Sequence, residues 1–462
     1  MKHWGIAAGW LVLWVTLLGV PASFAQTTGQ TTQQTPNPWV ELLKNPNPKA
    51  RAKAAREMGK SGDTTTVPAL TAALTDASPQ VRREVVMALS QFHDSASLDA
   101  VITATRDPEP SVRVLAVKGL VGYYTGESPS AGFSPFFRRQ YRRVKGHFVH
   151  ESTRIDPGVK VNPTVTTALV ETMKDERAIE PAREAAKGLG ILLAQPAVPD
   201  LVKAAHSTDE DLAREALEAL SKIKDTSAGP RLVDLLDSTM PDVKRDAAVT
   251  LGILRTHEAL AKLQWVYEND PEQKNKEKAI EGLAFVGDPA SIPVFKKALS
   301  SGAKPVRTSA AEGLARVKDP NTLPDLEKAM GQERDAGVKL ALEYAITAVG
   351  KEDYLAGLVH ELTSILRSDV AQAYLIELAR DPKFLPKLYT FLSEDDATVR
   401  KKLCTVLMFA GDQSSLNHLD RLTHDKDTEV ASEAIRASRA IRARVALPAP
   451  APTPTPATAQ KP

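Results

Sequence analysis

The chain has 462 residues, a formal net charge of +2 and one cysteine. A balance this close to neutral excludes the broad basic footprint of a nucleic-acid binder, and a single thiol, Cys404, excludes an intrachain disulfide framework. Aromatic residues make up only 5% of the chain, which argues against a large enzyme core and suits helices that meet through small side chains.

Residues 1–25 read as a secretory signal: Lys2 and His3, an apolar run from Trp4 to Val20, then Pro21 and the small-residue exit Ser23-Phe24-Ala25. No cysteine follows Ala25, so a lipoprotein anchor is not expected. The expected destination is the periplasm or the extracellular space. Residues 26–37 are a polar linker of Gln, Thr and Asn with too little apolar surface to order themselves. Order is expected from Pro38-Trp39, in a first short helix.

From there one pattern returns. Asp76-Ala-Ser-Pro-Gln-Val81-Arg82 leads into an apolar-faced helix, and Asp107-Pro-Glu-Pro-Ser-Val112-Arg113 repeats it. Ala213-Arg214, Val243-Lys244, Val306-Arg307, Val338-Lys339 and Val399-Arg400 continue it, with looser copies at Arg51, Arg183, Lys276, Ala371 and Ala431. The spacing is close to 31 residues, with a single step of 70 between Arg113 and Arg183. A fixed period of this length means stacked units of one supersecondary structure. Each unit reads as two helices. The first opens on a proline or small residue, as at Val67-Pro68, and the second opens at Val-Arg with Ala and Leu at helical spacing. Gly252, Gly287 and Gly350 are read as helix ends. The expected fold is an all-α superhelix, an α-α solenoid of about twelve hairpins over residues 38–445.

The Asp, the proline-bearing turn and the following Val-Arg or Val-Lys resemble the HEAT-repeat family. That resemblance implies an inter-unit ladder built from the acid and the basic residue. At the six-residue spacing it assigns Asp76 with Arg82, Asp107 with Arg113 and Asp270 with Lys276, and, as variants, Glu333 with Lys339 and Glu394 with Arg400. Three units depart from the pattern, where Thr208 precedes Arg214, Ser301 precedes Arg307 and Asp425 precedes Ala431.

The long step contains an insertion, residues 123–163. Seven of the chain's aromatics fall in it, with seven basic residues against three acids. Phe133, Phe136, Phe137, Arg138, Arg139, Tyr141, Arg142 and Arg143 are the candidate partner contacts, because aromatics and arginine dominate interface energy. Two other roles stay open for it, docking on its own solenoid or resting on a membrane or polyanion. The second helices also carry Glu215, Glu218, Glu281, Glu312 and Glu343, an acidic stripe suited to a basic segment.

Two HEAT-like groups, deoxyhypusine hydroxylases and phycobilin lyases, handle metal or cofactor. The pairs His150-Glu151, His257-Glu258 and His360-Glu361 lie outside the Val-Arg helices, so no metal site or cofactor is expected, and no catalytic motif is found. The expected function is a non-catalytic, exported scaffold for protein partners, with a HEAT-like enzyme as the alternative. Cys404 is expected to be a buried small hydrophobe. Residues 446–462 alternate proline with Ala and Thr, an extended tail, and a helix over Ala434–Arg444 is expected to cap the array.

Overall fold

The computed structural model describes residues 37–126, 155, 159–175 and 177–446, all helix, turn or connection. The expected leader, the tail after 446 and the eight candidate contacts of the insertion, Phe133 to Arg143, lie outside these residues. What is described forms twelve helical hairpins. Their second helices are Pro48–Ser61, Pro79–Leu89, Pro110–Thr125, Ile179–Ile191, Glu210–Ile223, Pro241–Ile253, Gln273–Val286, Lys304–Val317, Ala336–Val349, Ser368–Ala379, Ala397–Ala410 and Thr428–Ala446. Hairpins are numbered below in that order. The first short helix, Pro38–Leu42, begins where the sequence placed it, with Asn37 capping the Trp39 N–H.

Second helices of successive hairpins stack directly on one another, except those of hairpins 9 and 10, which barely meet, whereas the first helices touch their counterparts much less. A stack drawn tighter on one side curves, and the second helices form its inner wall. Small residues permit the approach. A Cβ on Gly252 would lie 2.5 Å from the Gly282 carbonyl oxygen and 2.7 Å from its Cα. Gly252 is therefore a contact residue inside the sixth hairpin's helix and not the helix end that the sequence suggested. That helix ends one residue later, at Ile253, and Arg255 just beyond it takes a left-handed φ of 52°. Gly287 and Gly350 do end their helices. One continuous core runs along the array, from Ala52 to Ile441, and Cys404 is fully buried in it.

The hairpin turns are joined by charged rungs. Arg82 donates through Nε and Nη2 to the two carboxylate oxygens of Asp107, at 2.7 and 2.8 Å, and through Nη1 to the Asp76 carbonyl at 2.9 Å. Arg82 thus binds the backbone of its own turn and the side chain of the next, and Arg51, Arg307 and Arg400 also bind their own turns' carbonyls. Arg51 reaches Asp76 in the same way, Arg183 reaches Asp209, Arg307 reaches Glu333 and Arg400 reaches Asp425. Lys244 makes a single bond to Asp270, at 3.0 Å. Arg113 spans the insertion to Asp175 at 3.6 Å. The acid also accepts an N–H two residues on, as Asp107 does from Glu109.

This geometry corrects the six-residue assignments. The carboxylate partner of Arg82 is Asp107, not Asp76, because the ladder runs forward by one unit. Ser301 therefore does not weaken Arg307, which needs only the residue 301 carbonyl, 2.7 Å away. Nor does Ala431 release Asp425, which is held by Arg400. At Thr208 the neighbouring Asp209 serves as the acid for Arg183. The gaps fall elsewhere. Arg214 would face Ser238 and instead donates to Asp246 on the next helix, at 2.8 Å. Lys276 would face Ser301 and instead donates to the Glu268 carbonyl. Lys339 meets no acid in the Ser364–Arg367 turn, and Ala371 leaves Glu394 without a rung. Ser301 still accepts the Ala303 N–H; serine closes the turn but cannot bridge the units.

Removing a buried partner from a charge pair strands the other charge. Asp107→Ala should lower unfolding free energy by about 3 kcal/mol in urea denaturation, and Ser301→Asp should raise it by about 0.5 kcal/mol by supplying Lys276 with a rung. The Arg partners hold Asp76, Asp209 and Asp425 below the usual carboxylate range, and Arg307 holds Glu333 at about 2. A depressed carboxyl contributes fully above its unfolded pKa and loses that contribution as pH falls through the folded one. An acid titration followed by circular dichroism should show stability falling from about pH 4.5 toward pH 2, and less steeply in Arg307→Met.

Candidate partner-binding surface

The inner wall carries charge that the core does not absorb. In hairpin 5, Asp209 caps the helix Glu210–Ile223 by accepting the Leu212 N–H at 2.8 Å. This start points Glu215 and Glu218 along one side, with Lys222 one turn further, 2.8 Å from Glu218. Glu184 and Lys187 of hairpin 4 flank them electrostatically, and Asp246 of hairpin 6 pairs with Arg214 at 2.8 Å. Half-burial comes at a cost to these acids. Glu215 is pushed up to about 7, first by loss of solvent and then by Glu218, against Lys187 and Lys222. Burial likewise raises Asp246 although Arg214 opposes it. Burial, then Glu361, raises Glu343 in hairpin 9.

The acidic stripe is not continuous. Glu281 and Glu312 are buried, with Glu312 at 0% exposure, so they belong to the packing between hairpins. Glu281 is bonded by Lys278 at 2.6 Å. Glu312 takes part in a cluster the sequence reading missed. Tyr374 of hairpin 10 donates to it at 2.5 Å. Arg316 donates to Glu377 of hairpin 10 at 3.1 and 2.8 Å, and Tyr344 of hairpin 9 donates to the same carboxylate at 2.5 Å. The two tyrosine rings stack, 4.4 Å apart and 2° from parallel. Arg316 also lies over the Phe285 ring at 4.6 Å. The available signal was tyrosine, a scarce residue here, recurring at 344 and 374 about one period apart on second helices.

The insertion is tied at its root. Tyr124, in the last turn of hairpin 3, accepts the Asn162 N–H at 2.9 Å. Tyr123 packs between His93 and Tyr124. Ile155 is buried and donates its N–H to the Ile191 carbonyl at 3.0 Å.

Among the described residues no group of three or more His, Cys, Asp or Glu is placed to hold a metal ion, and no helix is long and apolar enough to cross a membrane. His257 pairs with Asp288 at 2.8 Å, and His360 ends the short helix Leu355–His360; His150 lies outside the described residues.

A family profile described as HEAT repeats matches residues 36–121, 166–252, 198–274 and 260–347, more than half of the chain. The chain belongs to the HEAT-repeat family. No curated protein sequence matches it. Among solved structures, it is similar to an engineered protein, at 19% identity and a TM-score of 0.37, over 88% of this chain and 98% of that one. It is also similar to the CpcE–CpcF complex of phycocyanin lyase from Nostoc sp. PCC7120, at 17% identity and a TM-score of 0.34, over 60% and 92%. A third is Kap121p, at 13% identity and a TM-score of 0.41, over 86% and 48%.

A group with a raised folded pKa destabilises while ionised, and that penalty disappears as pH falls through the folded value. The HEAT array should therefore gain about 1–2 kcal/mol from Glu215 between pH 8 and pH 5.5. Glu215→Gln should be the more stable chain at pH 8 and lose that part of the slope in urea titrations at both pH values.

Proposed function

We propose that this HEAT-repeat protein is a non-catalytic, exported scaffold that binds a protein partner along its inner wall, with the insertion 123–163 as a second contact. The observation that carries this reading is the half-buried carboxylate group of hairpins 4 to 6. Glu184, Glu215, Glu218 and Asp246 lie on helices whose buried faces are already used for stacking. These four acids outnumber Lys187, Lys222 and Arg214 beside them, and partly desolvated acids in excess gain from an incoming cation, since a basic side chain replaces solvent that burial has taken away. A Lys- or Arg-bearing segment fits that requirement. Curvature brings several second helices to one ligand, so a long segment meets several hairpins at once. The aromatic and basic character of the insertion suits an interface anchor, and the leader-like residues 1–25 support export.

A photo-crosslinking residue at position 215 should capture a partner from envelope extract, and one at Trp265, exposed on a first helix, should not. Glu184→Gln, Glu215→Gln and Glu218→Gln combined should weaken that partner's binding at least tenfold, about 1.4 kcal/mol. Equal capture from both positions, or affinity untouched by the triple change, would overturn the inner-wall reading. Deleting residues 124–162 tests the insertion: unchanged partner affinity would remove it as a contact.

A further inference from the structure

The ladder fails twice in succession around hairpin 10. Lys339 finds no acid beyond it, and Ala371 stands where the arginine of hairpin 10 would be. The match to the family profile also stops at residue 347, inside the second helix of hairpin 9. At this weak point a different set of bonds takes over. Arg316 and Lys318, at the end of the hairpin 8 helix, reach past hairpin 9 to Glu377 and Asp381 of hairpin 10, Lys318 at 2.8 Å. Tyr374 reaches back to Glu312 across the same gap, and Tyr344 of hairpin 9 is held between, stacked on Tyr374.

The two kinds of connection behave differently. A rung joins neighbours at the turn edge and leaves the next unit free to be built on. The cluster joins units two apart at the far ends of their helices, so it fixes the angle at which hairpin 10 leaves the array. Glu312, Tyr344 and Tyr374 are almost wholly buried. Buried charges and hydroxyls of this kind specify one arrangement, because any other leaves them unpaired. Hairpin 10 shares the continuous core with its neighbours, but the second helices of hairpins 9 and 10 barely meet, and its turn carries Ile365 and Leu366, 87% and 83% exposed.

We propose that hairpins 10–12 form an arm that moves as a unit against hairpins 1–9, and that the Arg316–Glu377 pair with the stacked tyrosines is the latch that holds it closed. Breaking the latch frees the arm at a junction that has no rung and where the second helices barely meet. The core within each body is untouched.

The test uses the full chain with spin labels on cysteines at Arg231 and Arg442, across the junction, and at Lys53 and Arg231, within the first body; Cys404 is fully buried and stays unlabelled. In Arg316→Met and in Glu377→Gln the distance distribution between 231 and 442 should at least double in width, with that between 53 and 231 unchanged. An unchanged 231–442 distribution in a folded variant would overturn the latch, as would equal broadening of both pairs. If neither variant folds, native-state hydrogen exchange of the unaltered chain decides. Amides of Ser368–Ala379 and the helices after it should open together, at a urea concentration where hairpins 4–8 remain protected at least tenfold better. Opening of the whole array in one step would overturn the proposal.

Discussion

Everything in this molecule depends on a guanidinium that binds two consecutive turns at once. Arg82 holds its own turn by a backbone carbonyl and the following turn by a carboxylate, and the planar fork of arginine makes both contacts with little strain. Apolar stacking supplies most of the cohesion of an array, but apolar surfaces slide. The rung fixes the register between hairpins, and with it the line of side chains along the inner wall. Where the rung is a lysine, as at Lys244, one bond replaces two; where serine replaces the acid, the turn survives and the bridge is lost.

The fold was legible because its signal is periodic. A 31-residue period, a proline at the start of the second helix and a Val-Arg dyad are each weak, yet repetition makes them decisive, and twelve hairpins stand where the spacing placed them. The direction of the ladder was not legible. A six-residue spacing joins Asp76 to Arg82 in sequence, while the carboxylate that Arg82 binds lies 25 residues ahead. Local spacing cannot reveal which of two stacked turns a long side chain will reach. Gly252 misled for a related reason. Glycine serves both left-handed helix ends and close backbone approach, and the second use depends on Gly282, a residue of another helix. Leucine, lysine and arginine ended other helices, at Leu193, Lys224, Arg255 and Lys318, against the usual preference for glycine.

The candidate surface was half legible. Glu215, Glu218 and Glu343 could be placed on the inner helices from the repeat alone. Their burial could not, and burial is what divides the stripe into packed acids at Glu281 and Glu312 and half-solvated acids in hairpins 4 to 6. The Arg316 cluster escaped notice because its members belong to three repeats and none departs from the repeat pattern by itself. A solenoid hides such contacts from sequence inspection, since the eye compares each unit only with its neighbour.

The closure of the insertion has a consequence for how the array keeps its line across the break in its period. Tyr124 and Asn162 meet by one hydrogen bond, while Arg113 and Asp175 stay within reach of one another across the gap. Ile155, within the insertion, is tied separately to the Ile191 carbonyl. These three ties hold the hairpins on either side of the insertion in alignment without a regular rung between them.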